Sequence, residues 1–222
     1  MKCDKNPKKI QSMFDEISSG YDLMNNFISL GTHFVIKFVT VLDLKIKHNA
    51  NILDLCCGTG DFTKIISKVR PDAKVIGLDF SKNMIKLAKT KNPNGVFIQG
   101  DCTDMPFKNN EFDYITMGFG LRNVENRAVA IEQIYRVLKQ GGYFLHLDFG
   151  RQAWLSKIFD FIVLFWAKIF KKNLEHYKYL LASKNTFPEP KVLILEFSRV
   201  GFKLSSRHDF LFGIISAQIL KK

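Results

Sequence analysis

From residue 50 the chain alternates short apolar runs with segments of helical period, and an aspartate recurs where the runs end. The apolar runs are NILDLCC (51–57), AKVIGLDF (73–80), GVFIQGD (95–101), FDYITMGF (112–119) and YFLHLDF (143–149). Between them, DFTKIISKV places Phe62, Ile65, Ile66 and Val69 at helical spacing. SKNMIKLAKTK opens on Ser81, a good N-cap, and Ala128–Leu138 reads as a helix stopped by Gly141-Gly142. Strands alternating with helices at this spacing imply βαβ units and a parallel sheet, with right-handed crossovers placing helices on both faces. KLSSRHDF and GIISAQIL near the end read as a closing strand pair. The expectation is an α/β, Rossmann-like fold: a seven-stranded, mostly parallel sheet in one domain. Residues 1–48 would form an N-terminal helical cap, 49–150 the ligand-binding core, 151–200 a helical lid and 201–222 the closing strands.

In open parallel sheets ligands bind beyond the carboxyl ends of the strands. The residues there are Asp54 to Asp61, Asp79, Asp101 with Cys102, Gly118 to Asn123, and Asp148. The first strand runs into Asp54-Leu55-Cys56-Cys57-Gly58-Thr59-Gly60-Asp61, whose small residues let backbone approach a ligand closely. Asp79 ends the second strand, where a carboxylate accepts from both hydroxyls of a ribose. Together these say only that a nucleoside-containing cofactor binds. A dinucleotide site needs G-x-G-x-x-G with a pyrophosphate at the helix N-terminus. Here Cys56 takes the first glycine place, and Asp61 would repel a pyrophosphate. An acid-lined loop suits a cation, and S-adenosylmethionine carries a sulfonium and an amino group. Asp61 alone is also an ordinary first-turn acid, but that does not account for Asp54, Asp79 and Asp101 recurring at strand ends. At the third turn Asp101 can accept from an adenine amine, Cys102 can offer its N–H, and Met105-Pro106-Phe107 can supply apolar contact.

Four blocks resemble the ubiquinone/menaquinone biosynthesis C-methyltransferase family (UbiE-type) of class I S-adenosylmethionine-dependent methyltransferases. They are FDEISSGYDLMNNFISLGTH (14–33), ILDLCCGTGDF (52–62), MPFKNNEFDYITMGFGLRNV (105–124) and YRVLKQGG (135–142). The first and third are the specific ones, and the resemblance covers nearly the whole chain. It implies that Thr59, Asp79, Asp101 and Cys102 contact the cofactor, with Asp54, Gly58, Gly60 and Gly118 completing the set. Gly118 stands where the family often has serine, Asp148 lies in an L-D-F-G run where L-E-F-S is usual, and Gln218 falls where histidine is common.

The reaction so implied is methyl transfer to a ring carbon of a polyprenylated quinol precursor, demethylmenaquinol or 2-polyprenyl-6-methoxy-1,4-benzoquinol. A phenol has a pKa near 10, and losing its proton makes the ortho carbon nucleophilic. Arg122, always charged, can stabilise the phenolate, and Asp61 can act as general base. Arg122 in a structural salt bridge, Asp61 as a cofactor contact and Asn123 as a helix N-cap are the plainer alternatives. Tyr21, Asn25 and His33 are candidate donors to a quinol oxygen. A methyltransferase for another small apolar acceptor is the alternative function.

The net charge of +12 draws a chain toward anionic partners. There is no aromatic and basic platform for single-stranded nucleic acid, so none is expected to bind. Trp154–Lys172 is apolar over a wide arc, and residues 151–186 carry an excess of five positive charges. Lys157, Asp160 and Lys168 interrupt it, so it is too short and too charged to span a bilayer. It suits an interfacial helix on an anionic membrane or the mouth of a lipid-tail tunnel; a helix packed on the sheet is the alternative. Cys3, Cys56, Cys57 and Cys102 show no metal-ligand spacing. MKCDKNPKK lacks an apolar signal region. The expected setting is cytoplasmic, peripheral at the inner face of the membrane.

Overall fold

A computed structural model describes residues 4–150, 155–169 and 174–222. Seven strands form one sheet in the order β3-β2-β1-β4-β5-β7-β6. They are β1 (Asn51–Leu55), β2 (Lys74–Asp79), β3 (Val96–Gln99), β4 (Phe112–Gly118), β5 (Leu138–Phe149), β6 (Lys203–Phe210) and β7 (Ile215–Lys221). β1 to β5 pair in parallel, and β7 runs antiparallel between β5 and β6. The order reverses at β1 and β4, so the crevice at their carboxyl ends is the expected ligand site.

The two-residue period of the strands divides the core. Leu53, Leu55, Ile115 and Phe144 face α6 (Arg127–Val137) and α9 (Pro190–Val200). Ile52, Tyr114, Leu145 and Leu147 face α3 (Thr32–Asp43) and α4 (Asp61–Val69). α5 (Lys82–Lys91) covers β2 and β3 and starts on Ser81, whose hydroxyl accepts from Met84 N–H at 3.1 Å. α1 (Pro7–Ile17) and α2 (Tyr21–Ser29) precede α3; α7 (Leu155–Ile169) and α8 (Leu174–Thr186) precede α9.

Three local expectations change. Gly141-Gly142 do not stop α6. The helix ends at Val137, because Leu138 is drawn into the core as extended backbone and pairs with Phe112. The next pair is Tyr114 with Tyr143, so the glycines sit in a bulge inside β5, Gly141 at φ +74°. Residues 151–200 do not act as one lid. α7 and α8 lie against α2 and the 3-10 turn Leu121–Asn123, but α9 buries Leu193 and Phe197 completely in the sheet core. Truncating a buried phenylalanine such as Phe197 to alanine costs about 3–5 kcal/mol, so α9 belongs to the body of the fold. Finally, Asn126, not Asn123, caps α6, accepting from Val129 N–H at 3.3 Å. Of the apolar stretch 154–172, residues 154 and 170–172 lie outside the described residues, as do Cys3 and residues 151–153. Among the described residues no helix is long and apolar enough to cross a membrane.

Candidate active site

Two cavities meet above β1 and β4. They share a wall of Phe14, Tyr21, Cys56, Gly58, Gly118 and Phe119. One runs over the ends of β2 and β3 and is lined by Asp79, Asp101 and Cys102. The other, the cap-side cavity, runs under the cap and α8, where Asn25, His33, Lys37, Asp61 and Arg122 line it.

The β1–α4 loop shapes the junction. Cys56, in the first glycine place of the sequence pattern, adopts φ +52°, a left-handed conformation costing roughly 1–2 kcal/mol for a residue with a Cβ. Gly58 follows at φ +55°, and a Cβ built there would meet nothing within 4 Å, so the ligand-facing space begins at its backbone. Asp79 is fixed by that loop: its carboxylate accepts from Gly58 N–H at 2.8 Å and Ser81 N–H at 2.9 Å. Each oxygen keeps a lone pair for a further donor, and burial raises the pKa. Asp101 accepts from the Thr103 N–H and hydroxyl on Oδ1, both at 2.8 Å. Among the described residues nothing donates to its Oδ2. This cavity thus offers a diol acceptor, an amine acceptor and the apolar walls Ile10, Phe14, Phe80 and Met84. Met105 and Phe107, expected at the adenine, pack instead in and against the core, Phe107 edge-on to Phe112 at 4.9 Å.

Two other expected site residues do not reach a cavity. Asp54 is 1% exposed and accepts from Thr63 N–H, Thr63 Oγ1 and Thr116 Oγ1 at 3.0, 2.8 and 2.9 Å. It ties β1 and β4 to the first turn of α4, and burial lifts its pKa to about 6. Gly60 supplies the left-handed N-cap of α4 beneath the loop, against Phe97. Gly118 lines both cavities, and a Cβ there would lie 2.5 Å from Phe62 Cε2. The Phe62 ring fills the space that a side chain at position 118 would need.

Asp61 is clamped. Lys37 Nζ donates to its Oδ2 at 2.8 Å and Lys91 Nζ to its Oδ1 at 3.2 Å. Burial alone would raise this carboxyl, but the two lysine charges outweigh it and bring the pKa to about 2. So held, Asp61 is a poor proton acceptor at neutral pH, against the general-base expectation. Lys91 also donates to Asp22 Oδ2 at 2.8 Å and Thr59 Oγ1 at 2.9 Å, while Thr59 donates to Asp22 Oδ1 at 2.7 Å. Sequence reasoning did not find Lys37, Lys91 or Asp22; only Asp22, inside the YDLMN block, carried a signal. His33 bonds Ser29 through Nδ1 at 2.6 Å. Burial and the Lys37 charge push its pKa down to about 4, leaving the ring neutral.

Arg122 is buried where β4 ends. Its Nη1 donates to Phe119 O and, at 2.9 Å, to Asp148 Oδ1. The salt-bridge reading of Arg122 therefore holds, yet Arg122 also lines the cap-side cavity. Its Nη2 makes no hydrogen bond to a described residue and remains a donor. Asp148 lines neither cavity and is paired with Arg122. Asn123 lines both cavities and accepts from Tyr179 of α8 at 3.3 Å. Gln218 is inside the sheet, its Oε1 accepting from His146 Nδ1 at 2.6 Å, and it lines neither cavity. A thiol contact with Cys102 and burial keep Cys56 protonated, and burial does the same for Cys57, so neither is an activated nucleophile.

The family profile of ubiE/COQ5 methyltransferases matches residues 2–222. The chain belongs to that family. This methyltransferase is 37% identical over 222 residues to the demethylmenaquinone methyltransferase of Staphylococcus carnosus, covering 96% of this chain and 92% of that one. The Staphylococcus aureus protein of the same name is 37% identical over 224 residues, covering 96% and 93%. Among solved structures, a methyltransferase from Thermotoga maritima described as a possible histamine N-methyltransferase superposes with a TM-score of 0.70 at 18% identity, covering 95% and 99%. The [4+2]-cyclase SpnF superposes with a TM-score of 0.71 at 13% identity, covering 96% and 94%. These two speak for the fold alone, and the second illustrates that fold does not dictate reaction. S-adenosylmethionine is the methyltransferase's cofactor, and the free Asp101 oxygen, the Asp79 carboxylate and the open face of Gly58 are a fitting receptor for its adenosine portion.

Proposed function

We propose that this methyltransferase methylates a ring carbon of a polyprenylated quinol, with demethylmenaquinol as acceptor. The observation carrying this is the second cavity: a mostly apolar chamber that meets the nucleoside cavity at Gly58 and Gly118, with the buried Arg122 in its lining. The staphylococcal relatives, named for demethylmenaquinone, support the naphthoquinol over the benzoquinol.

Asp79 would hold the ribose, Asp101 and Cys102 the adenine, and Gly58, Thr59 and Gly118 the junction. S-adenosylmethionine, when bound, supplies an electrophilic methyl group on a sulfonium. The chain's own task is to make the acceptor carbon nucleophilic and to exclude water. Arg122 would donate from Nη2 to an acceptor hydroxyl oxygen and favour its oxyanion, the hydroxyl proton passing to solvent before methyl transfer; preorganised donors of this kind are worth about 10²–10³ in rate. Neutral His33, Asn25 and Tyr21 line the same chamber and orient the second ring oxygen. With Asp61 committed to two lysines, activation rests on lowering the pKa of the bound hydroxyl rather than on a strong base.

The quinol's lipid tail argues for peripheral contact with the inner membrane face. In support, α7 turns Ile158, Phe161 and Phe165 to solvent, with Lys157 and Lys168 exposed beside them. The deciding experiment supplies demethylated naphthoquinol and benzoquinol precursors with isotopically labelled cofactor. Mass gain on the naphthoquinol ring is the expected result, and gain on neither ring removes the proposal.

A further inference from the structure

The cluster around Asp61 has a charge arrangement that acceptor chemistry leaves unused. Two carboxylates, Asp22 and Asp61, and two ammonium groups, Lys37 and Lys91, meet beside Thr59, with Lys37, Thr59 and Asp61 lining the cap-side cavity. Their formal charges cancel. The two lysines differ in how they are used. Lys91 spends its three donors on Asp22, Thr59 and Asp61, which ties α5 to the cap and to the β1–α4 loop. Lys37 makes a single hydrogen bond, to Asp61. Its side chain is 12% exposed and lines the cavity, so two of its three N–H groups are open to a ligand there. A neutral cluster that presents a cationic donor beside an anionic acceptor suits a ligand end that is itself neutral overall and doubly charged, namely an α-amino carboxylate. Arg122, which also lines this chamber, already has Asp148 as its counter-ion.

We propose that Lys37 receives the α-carboxylate of the cofactor's amino-acid arm, with Asp61 opposite the α-amino group and Lys91 as the positioning residue that keeps Asp22, Thr59 and Asp61 in place. The assignment rests on S-adenosylmethionine being the cofactor. Lys37 thereby does the work of excluding nucleosides that lack the arm, and the acid expected to abstract a proton serves to hold charge in register.

The test is calorimetric and needs no turnover. Three ligands are titrated: S-adenosylhomocysteine, its decarboxylated analogue that keeps the amine, and 5′-methylthioadenosine, which lacks the arm. In Lys37→Met the Kd for S-adenosylhomocysteine should rise roughly tenfold to a hundredfold, the loss of one charge-assisted hydrogen bond. The other two ligands should stay within about twofold of the native protein, and Lys37→Arg should recover most of the loss. Lys91→Met should weaken S-adenosylhomocysteine and also lower Tm, because it unties three groups. An unchanged preference for S-adenosylhomocysteine over its decarboxylated analogue in Lys37→Met overturns the proposal. Equal weakening of all three ligands overturns it too, since that is a general structural effect. Native protein that binds none of the three would instead remove the cofactor reading beneath it.

Discussion

Arg122 and Asp148 close a buried ion pair at 2.9 Å where two neighbouring parallel strands end. Arg122 Nε and Asp148 Oδ2 both lack a protein partner, so the pair is not a saturated structural bridge; one edge of the guanidinium is left for other work. Arg122→Met should lower kcat by about 10²–10³ with cofactor Kd unchanged. It also strands a buried carboxylate, for which a loss of about 3–5 kcal/mol is usual. Arg122→Met/Asp148→Asn should regain much of that stability without regaining rate. Near-native kcat in the single variant, measured by single-turnover methyl transfer, would falsify the role of Arg122.

Asp61 gives a prediction about pH. With its pKa depressed to about 2 by Lys37 and Lys91, it is ionised throughout the working range. Its folded-state value lies below the ordinary 3.8, so its contribution to stability is present above that value and is lost only as pH falls toward 2. The pH–rate profile should therefore show no acidic limb from Asp61 between roughly pH 4 and 9. Asp61→Asn should change cofactor affinity and leave the shape of the profile as it was. A limb that disappears in Asp61→Asn would restore it as a base.

Asp54 behaves in the opposite sense. Burial raises its pKa from 3.8 to about 6, so the folded chain binds its proton more tightly than the unfolded chain does. That stability is present at low pH and is lost as pH rises through the folded value. Between pH 4.5 and 7 the loss from this one group is about 2 kcal/mol. Asp54→Asn removes the term, so its deficit against the native protein should be larger at pH 4.5 than at pH 7. Urea unfolding of both proteins at the two pH values reads the difference, and His33, present in both, cancels. A deficit independent of pH would show that Asp54 titrates normally.

The sheet was legible because its signals are local. Each strand and the helix after it announce themselves within about a dozen residues, and the parity of β1 and β5 already separates the two faces. That Asp79 and Asp101 would line a cavity was legible for the same reason: a strand end in such a sheet has one place to be. Asp54 looked identical in sequence and differs only because Thr63 and Thr116 reach it from α4 and β4. The lysines were hidden by distance and repetition. Lys37 is 24 residues from Asp61, and Lys91 is 69 from Asp22. Lys91 is one of four lysines in α5, and nothing short of the folded helix shows that it alone reaches the loop. The role of α9 was misread because a helix carrying Val192 and Leu195 to solvent and Leu193 and Phe197 inward has apolar residues on both sides.

The cavity over the ends of β2 and β3 bears on binding. Asp79→Ala removes the acceptor for a ribose diol and the anchor of Gly58 and Ser81 together. Hydrogen bonds to a charged group are worth about 1.5–3 kcal/mol, so the Kd for S-adenosylhomocysteine and for 5′-methylthioadenosine should rise alike, by roughly tenfold or more. The parallel response matters: Lys37→Met is expected to separate those two ligands, and Asp79→Ala is expected not to. Isothermal titration on the same preparations compares them, and a selective loss in Asp79→Ala would mean that the ends of the cofactor have been assigned the wrong way round.

The last prediction concerns α7. Phe161 is 69% exposed and Phe165 49%, their rings stacked at 6.1 Å, while Val163 and Ala167 on the opposite side are fully buried. A helix that needed only to pack on the fold has no use for two adjacent solvent-facing aromatic rings flanked by lysines. An interfacial helix inserts such rings about 5–10 Å into the headgroup boundary, and each lysine at an anionic surface adds about 1 kcal/mol. Co-sedimentation with vesicles containing anionic lipid should show binding that falls with salt. Phe161→Ser/Phe165→Ser removes apolar surface worth about 1.5–3 kcal/mol per ring if fully inserted, so vesicle binding should weaken at least about tenfold while calorimetric cofactor binding stays intact. α3 offers an internal control, since it exposes Val35 and Phe38 as a separate stripe. If Val35→Ser/Phe38→Ser abolishes sedimentation and the α7 variant does not, the docking helix is α3. If neither vesicle composition nor salt moves the protein, the lipid-tailed acceptor must reach it without a bilayer contact.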